Sequence, residues 1–323
     1  QTFEIGGQRR HRIRRAEANL AAAEAATVDT VRVLELAVAT AFWETLAADR
    51  RVVLLQESQR LAQVLYETAR LRLERGEGTP LEQNTARIRL AEVERRLASE
   101  RSQRRSSALR LAELLGLPQA EPLTLTGQFP ETRALDSEEA LVARALSSRS
   151  DLVARDHRTT AAEEGARLAK AEARPDLSFG LSYEEEENDQ IILAGVSVPL
   201  PVFNRNQGER QRTEAATRRL RAERETAALA VESEVRRAYS DYEQARQAVR
   251  LYDTEVLLAQ EESLSLLEKA FEAGQIGYPE VIVVQREVLD GRDGYLSAQL
   301  DLALANARLL AALQKPQTDS EQE

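Results

Sequence analysis

From Val31 onward, apolar or small residues recur at alternating steps of three and four. The series is Val31, Leu34, Val38, Ala41, Thr45, Ala48, Val52, Leu55, Gln59, Ala62, Tyr66, Ala69 and Leu73. A seven-residue repeat held over six heptads specifies packing along a continuous seam, not a short globular helix. The same series returns at Val235, Ala238, Tyr242, Ala245, Val249, Tyr252, Val256, Ala259, Ser263, Leu266, Ala270 and Ala273, displaced by 197 residues from Val38 onward. The chain is therefore read as an internal duplication.

The helix breakers repeat too. The first run ends in ERGEGTPLEQ, with Gly76, Gly78 and Pro80; the second ends in EAGQIGYPEV, with Gly274, Gly277 and Pro279. Glycine supplies the left-handed conformation that closes a helix, and proline suits the first turn of the next. A returning helix is expected after each turn, over about 81–116 and 280–314. Each half is thus a long helix, a tight turn and a shorter return. A helix over 8–75 would be on the order of 100 Å long at 1.5 Å per residue.

Composition agrees with this plan. Glycine and proline number only 14 and 9, aromatics are 4%, and charged residues are 30%; small residues at helix seams allow thin, closely packed bundles. The formal charge of −10 excludes whole-chain attraction to nucleic acid. Of 44 cationic residues only Lys170, Lys269 and Lys315 are lysines, a bias without assigned chemistry. No cysteine is present, so neither disulfide nor thiolate metal site is available. No methionine is present either, from which the chain is expected to start inside a longer gene product. No apolar run reaches the roughly 20 residues of a membrane-spanning helix.

Between the halves, LPQAEPLTLTGQFPE carries Pro118, Pro122 and Pro130 and reads as a connector. Two helices are expected after it, over 136–148 and 150–173, the second ending at Pro175. Then the periodicity changes to two. In DLSFGLSY, Leu177, Phe179, Leu181 and Tyr183 share one face and Ser178, Gly180 and Ser182 the other. After the acidic loop Glu184–Asp189, Ile192, Ala194, Val196, Val198 and Leu200 alternate with Leu193, Gly195 and Ser197. This is a β-hairpin pattern. Its strands approach the 9–11 residues, roughly, that a tilted strand needs to cross a bilayer. From alternation alone an ordinary hairpin packed on a helix is the commoner reading. In lipid a lone hairpin would leave unsatisfied edges, so several chains would have to share one barrel. The opening QTFEIGGQRR partly copies PVFNRNQGER, with Phe3 and Phe203 in register, which suggests the tail of another strand before the first long helix.

Three stretches carry a resemblance to a known family: RSDLVARDHRTTAAEEGARLAKAEARPDLSFGLSY, GVSVPLPVFNRNQGE and FEAGQIGYPEVIVVQREVL, with QTFEIGGQRR and GEGTPLE in the first half. The chain resembles the TolC-like outer-membrane factors (outer membrane efflux proteins), closest to the CzcC/CusC-like heavy-metal efflux branch. The resemblance implies a mainly α fold of very long antiparallel coiled-coil helices in a duplicated half-repeat. A β-hairpin would contribute to a twelve-stranded, trimeric transmembrane barrel. The implied organisation is 1–7, tail of a first barrel strand; 8–116, first helical repeat with its tip turn at 76–80; 117–135, connector; 136–174, equatorial and tunnel helices. It continues with 175–203, transmembrane hairpin; 204–314, second helical repeat with tip turn 274–279; and 315–323, disordered tail.

The resemblance also implies roles. Leu177, Phe179, Leu181, Tyr183, Ile192, Ala194, Val196 and Val198 would face lipid. Pro175, Pro199 and Pro201 would mark passages between strand and helix. Gly76, Gly78, Thr79, Pro80, Gly274, Gly277, Tyr278 and Pro279 would form the periplasmic tip that meets an adaptor. Glycine and proline that merely terminate helices would look the same. The acidic residues that constrict the family's tip have no clear match after the second turn, so Glu82, Glu280 and Arg286 stand as candidate gate residues. Implied partners are two further copies, a periplasmic adaptor (membrane fusion protein), an inner-membrane pump of the resistance-nodulation-division (RND) type, and outer-membrane lipid. The implied location is the outer membrane of a Gram-negative-type bacterium, with the helices in the periplasm.

No enzyme is expected. His11 and His157 lie far apart in Arg-rich helical contexts and are read as solvated. No phosphate loop or His-based metal spacing is present, and no cofactor or resident metal is expected. The rival reading is a periplasmic coiled-coil adaptor or scaffold without a pore. The duplication and the hairpin at the repeat junction argue against it.

Overall fold

The structure, a computed structural model, describes residues 2–118, 123, 125–186, 189–199, 205–272 and 275–314. The elements are β1 (Thr2–Phe3), α1 (Gln8–Glu74), α2 (Pro80–Leu114), α3 (Glu138–Ser148), α4 (Ser150–Ala171), β2 (Leu177–Glu186), β3 (Asp189–Ser197), α5 (Gln207–Leu251), a π-helical segment (Tyr252–Val256), α6 (Leu257–Glu272) and α7 (Tyr278–Ala312). They fall into two compact units, and the chain passes between these at 32–33, 138–139 and 234–235. The expected tail 315–323 and connector residues 119–122 and 124 lie outside the described residues.

The first unit holds residues 1–32 and 139–234. Its sheet has the order β1-β2-β3, antiparallel throughout. Gly7 and Asn206, with φ of 80° and 59°, take left-handed conformations that turn the chain into α1 and α5. The Asn206 amide Nδ2 donates to the Ala169 carbonyl at 3.0 Å, and Gln8 Nε2 donates to Asp176 Oδ1 at 2.8 Å. The start of α5 is thereby tied to the end of α4, and the start of α1 to the link between α4 and β2. His11 is not solvated: its Nδ1 lies 2.7 Å from Glu164 Oε2, and its side chain is 13% exposed. Glu164 also accepts from Arg167. A carboxylate in α4 thus recruits a histidine 153 residues away, which no local pattern encodes. Arg149, only 3% exposed, makes a bidentate pair with Asp151 at 3.0 Å and reaches Glu234 at 2.6 Å.

The second unit holds 33–138 and 235–323. Its core runs along small residues: Ala41, Thr45, Ala48, Val52, Ala62 and Ala69 from α1, and Val235, Ala238, Tyr242, Ala245 and Val249 from α5 are buried. Thr45 satisfies its buried hydroxyl by donating to the Ala41 carbonyl at 2.7 Å. Tyr242 receives the Arg133 N–H at 2.9 Å and donates to its carbonyl at 3.1 Å, which anchors the connector. Trp43 stacks on Phe129 at 5.8 Å.

Two parts of the heptad series differ from the sequence reading. Val31 and Leu34, its first members, are exposed. The second series also loses register after Val249. Helices α2 and α7 begin at Pro80 and Tyr278, a displacement of 198 rather than 197. The extra residue sits in the π segment, where the Leu257 N–H bonds the carbonyl of Tyr252; a π turn accommodates one residue more than an α turn. Downstream, Ala259, Ser263 and Leu266, placed on the seam by the heptads, are exposed, whereas Gln260 and Leu267 are half-buried.

The Arg149 cluster sets an acid limit. Burial opposes ionisation of Asp151, but its bonds to Arg149 outweigh burial and hold the carboxyl below its ordinary range. A depressed carboxyl contributes stability above its unfolded value, about 4, and loses it as pH falls through the folded value. The thermal midpoint should therefore drop below pH ~4, and Asp151→Asn should flatten that part of the profile. An unchanged profile would remove Asp151 as the cause.

Candidate functional site

Two places gather the residues singled out by sequence: the hairpin in the first unit and the helix turns in the second.

In the hairpin, β2 and β3 pair from Ser178↔Ser197 to Glu186↔Asp189. Residues directly opposite in an antiparallel pair share a face. Phe179 therefore sits with Val196, Leu181 with Ala194 and Tyr183 with Ile192; Ser178 sits with Ser197 and Gly180 with Gly195. One face is apolar; the other is small or hydroxylated at 178, 180, 182, 195 and 197, with Leu193 opposite Ser182, and carries Glu184 opposite Ile191 toward the hairpin turn. The register also joins β1, with Phe3 opposite Leu177 and Thr2 opposite Ser178. The apolar face is uncovered: Leu181 is 78% exposed, and Phe179, Tyr183, Ile192 and Val196 are exposed too. Such a contiguous apolar face is rare on a soluble surface. Pro175 lies between α4 and β2, and Pro199 just beyond β3. Leu200, Pro201 and Phe203, with Glu187 and Asn188 of the acidic loop, lie outside the described residues.

The two turns share one construction. After α1, Gly76 has φ 77° and the Glu77 N–H reaches back to the Arg72 carbonyl at 2.9 Å. After α6, the Gln275 N–H reaches the Ala270 carbonyl at 2.9 Å. Thr79 caps α2: its Oγ1 accepts from Glu82 N at 3.2 Å, while Glu82 Oε2 faces Thr79 N at 3.5 Å. Gly277 caps α7, and Glu280 Oε2 accepts from its N–H at 3.1 Å. Glu82 and Glu280, both candidate gate residues, are thus already engaged as cap partners. Pro80 opens α2, and Tyr278 and Pro279 lie in the first turn of α7. Gly274 lies outside the described residues. Gly78 has little room, since a Cβ there would lie 3.1 Å from the Leu73 backbone nitrogen.

A charged network in the second unit was not legible in the sequence. Arg51 bonds Asp293 at 3.0 Å and Ser297 at 2.8 Å, Arg96 bonds Asp290 at 3.3 Å, and Arg286 approaches Asp290 at 3.7 Å. Arg286, the remaining gate candidate, therefore belongs to this network. Arg51, Arg96, Asp290 and Asp293 line one cavity with Glu100; burial pushes the Glu100 carboxyl above the ordinary range, with Arg51 opposing and Asp293 reinforcing the shift. The Arg51 and Arg96 pairs span 194 to 246 residues of sequence, beyond any short-range signal. Among the described residues no group of three or more His, Asp or Glu could hold a metal. No described helix is long and apolar enough to cross a membrane.

Replacing Thr79 by Ala should cost about 1 kcal/mol through loss of the cap, read as a lower denaturant midpoint for the α2 amides. An unchanged midpoint would show that the cap is idle.

The sequence pattern of the family described as "Outer membrane efflux protein" matches residues 1–117 and 141–314. The chain is 28% identical over 307 residues to the cobalt-zinc-cadmium resistance protein CzcC of Cupriavidus metallidurans, covering 91% of this chain and 71% of that protein. It is 26% identical to the pyoverdine export outer membrane protein OpmQ of Pseudomonas putida, covering 85% of this chain and 60% of that protein. Its fold matches that of the outer membrane protein VceC of Vibrio cholerae, with a TM-score of 0.80 at 20% identity, over 97% of this chain and 77% of the other.

Proposed function

The chain belongs to the outer membrane efflux protein family and is an efflux-channel component of the outer membrane, and from that premise we propose that three copies close a single conduit. The observation that carries this is the hairpin: an uncovered apolar face backed, at 178, 180, 182, 195 and 197, by a small, hydroxylated one. Lipid on the first side and a water-filled lumen on the second suit that division. The three described strands of one copy are too few to close a barrel, and open sheet edges are not tolerated in hydrocarbon.

The helices would continue the conduit through the periplasm. Gly76, Gly78, Thr79, Pro80, Gly274, Gly277, Tyr278 and Pro279 would present the turns to a periplasmic adaptor, which links the channel to an inner-membrane pump of the RND type. Both turns belong to the second unit, and in both a glutamate three residues on accepts from the backbone N–H of the cap residue. Arg286, with Arg96 and Asp290, is the better candidate for a charged gate, because Glu82 and Glu280 are held in caps. The favoured cargo is heavy-metal cations, on the likeness to a cobalt-zinc-cadmium resistance protein over 91% of the chain. The conduit would act passively, without catalysis, resident metal or cofactor, and the pump would choose the cargo. A pore-less coiled-coil scaffold would have no use for the exposed apolar strand face.

Leu181→Arg places a cation on the apolar face and should cost about 2–4 kcal/mol per copy if that face meets lipid near mid-bilayer. The variant of the complete gene product should vanish from the outer-membrane fraction, whereas Ser182→Arg on the opposite face should insert. Equal insertion of both variants would sink the barrel reading.

A further inference from the structure

The duplication gives the chain its own reference for how the helix before the second tip turn ought to pack. Upstream of the π segment the halves correspond at 197, as in Ala41 and Ala238, Ala48 and Ala245, or Val52 and Val249, all buried. Downstream, the turns and α7 correspond at 198. The heptads of α6 nevertheless continue at 197, so they encode a seam of Ala259, Ser263, Leu266 and Ala270. The structure instead turns Gln260 and Leu267 inward and leaves Ala259, Ser263 and Leu266 exposed, Leu266 by 58%, with Ala270 alone of that series half-buried.

The fit obtained this way is imperfect. Gln260 is received by Gly291 of α7: a Cβ on Gly291 would lie 1.6 Å from Gln260 Nε2. Gln260 Oε1 is buried without a hydrogen-bond partner. An open groove of about 570 Å³ remains between α6 and α7, lined by Ala259, Gln260, Ser263, Val284, Val288 and Gly291 among others. In the first half the positions matching Gln260 and Gly291 at 198 are Ala62 and Val93, both buried, so large and small are exchanged between the helices. The π segment is held on α7 from its upstream side. Tyr252 lies 5.9 Å from Tyr295 and fills the space over Gly294.

We propose that the π segment Tyr252–Val256 is a register switch: relaxing it to α-helix advances α6 by one residue, so that Ala259 and Leu266 replace Gln260 and Leu267 on the seam. The step is a rotation of about 100° and a rise of about 1.5 Å. It frees the Gln260 amide, buries Leu266 and uses the space now open between α6 and α7. The two registers are discrete because a helix packs on whole residues. Any consequence for a tip gate rests on the channel reading above; the register itself does not.

Single cysteines at Leu266 and Leu267 report the register, since the 323-residue sequence has none of its own. In the full-length protein in detergent, Leu266→Cys should react with a maleimide about tenfold faster than Leu267→Cys, the thiol turned inward being shielded. Gly291→Val, which installs the residue type of Val93, should reverse that order by excluding Gln260. Adding Gln260→Ala to Gly291→Val should restore the original order. Deleting Thr254 along with Gly291→Val should also prevent reversal, because no extra residue is left to release. If Gly291→Val leaves the order unchanged, or reverses it equally when Thr254 is deleted, there is no switch. The unsubstituted protein supplies a check that needs no variant to fold: amides of 252–267 should exchange faster than those of 55–69. Equal protection of the two stretches would overturn the proposal.

Discussion

A strand edge in hydrocarbon exposes N–H and C=O groups that no solvent can satisfy, and each such group costs several kcal/mol, roughly. Among the described residues, β3 pairs only with β2, and β1 covers only Leu177 and Ser178, at the end of β2 away from the hairpin turn. On the proposed reading the apolar face made by Phe179, Leu181, Tyr183, Ile192 and Val196 lies in lipid, yet the same transfer would strand those edges. The proposed sharing of one barrel among copies resolves the conflict. It also gives a purpose to the long helices attached to the sheet, which can then arrange several hairpins around one axis.

Those helices are made narrow by their seam. Alanine at 41, 48, 62, 69, 238 and 245 lets backbones approach closely, so the second unit buries a continuous core with few aromatics. A seam of small residues also carries weak register information, because Ala and Ser differ little in what they gain from burial. The α5–α6 helix shows the result: its heptads and its packing disagree by one residue after Val249, and a π segment absorbs the difference. The first half, whose turn has a threonine cap with a side-chain acceptor, has no such segment among its described residues.

What the sequence made legible follows from interaction range. Period-two alternation over Leu177–Tyr183 and Ile192–Val198 marked the hairpin, because each strand face is written locally. Gly76, Gly78 and Pro80 marked a turn for the same reason, and the matching turn 198 residues later confirmed the duplication. The Arg51–Asp293 and Arg96–Asp290 pairs and the His11–Glu164 contact were not legible. Each joins residues from distant parts of the chain, and a charge on a helix face looks alike whether its partner is water or another helix. The π segment escaped for a third reason: a one-residue insertion leaves a heptad of small residues almost unchanged on paper.

The central claim is that several copies share the strand edges, and the mass of the complete gene product in detergent tests it most directly. Light scattering corrected for detergent should give three protomer masses, of which this 323-residue portion contributes 36.0 kDa per copy. A monomeric mass under conditions that keep the helices folded would contradict the account, because no other copy would be present to close the barrel.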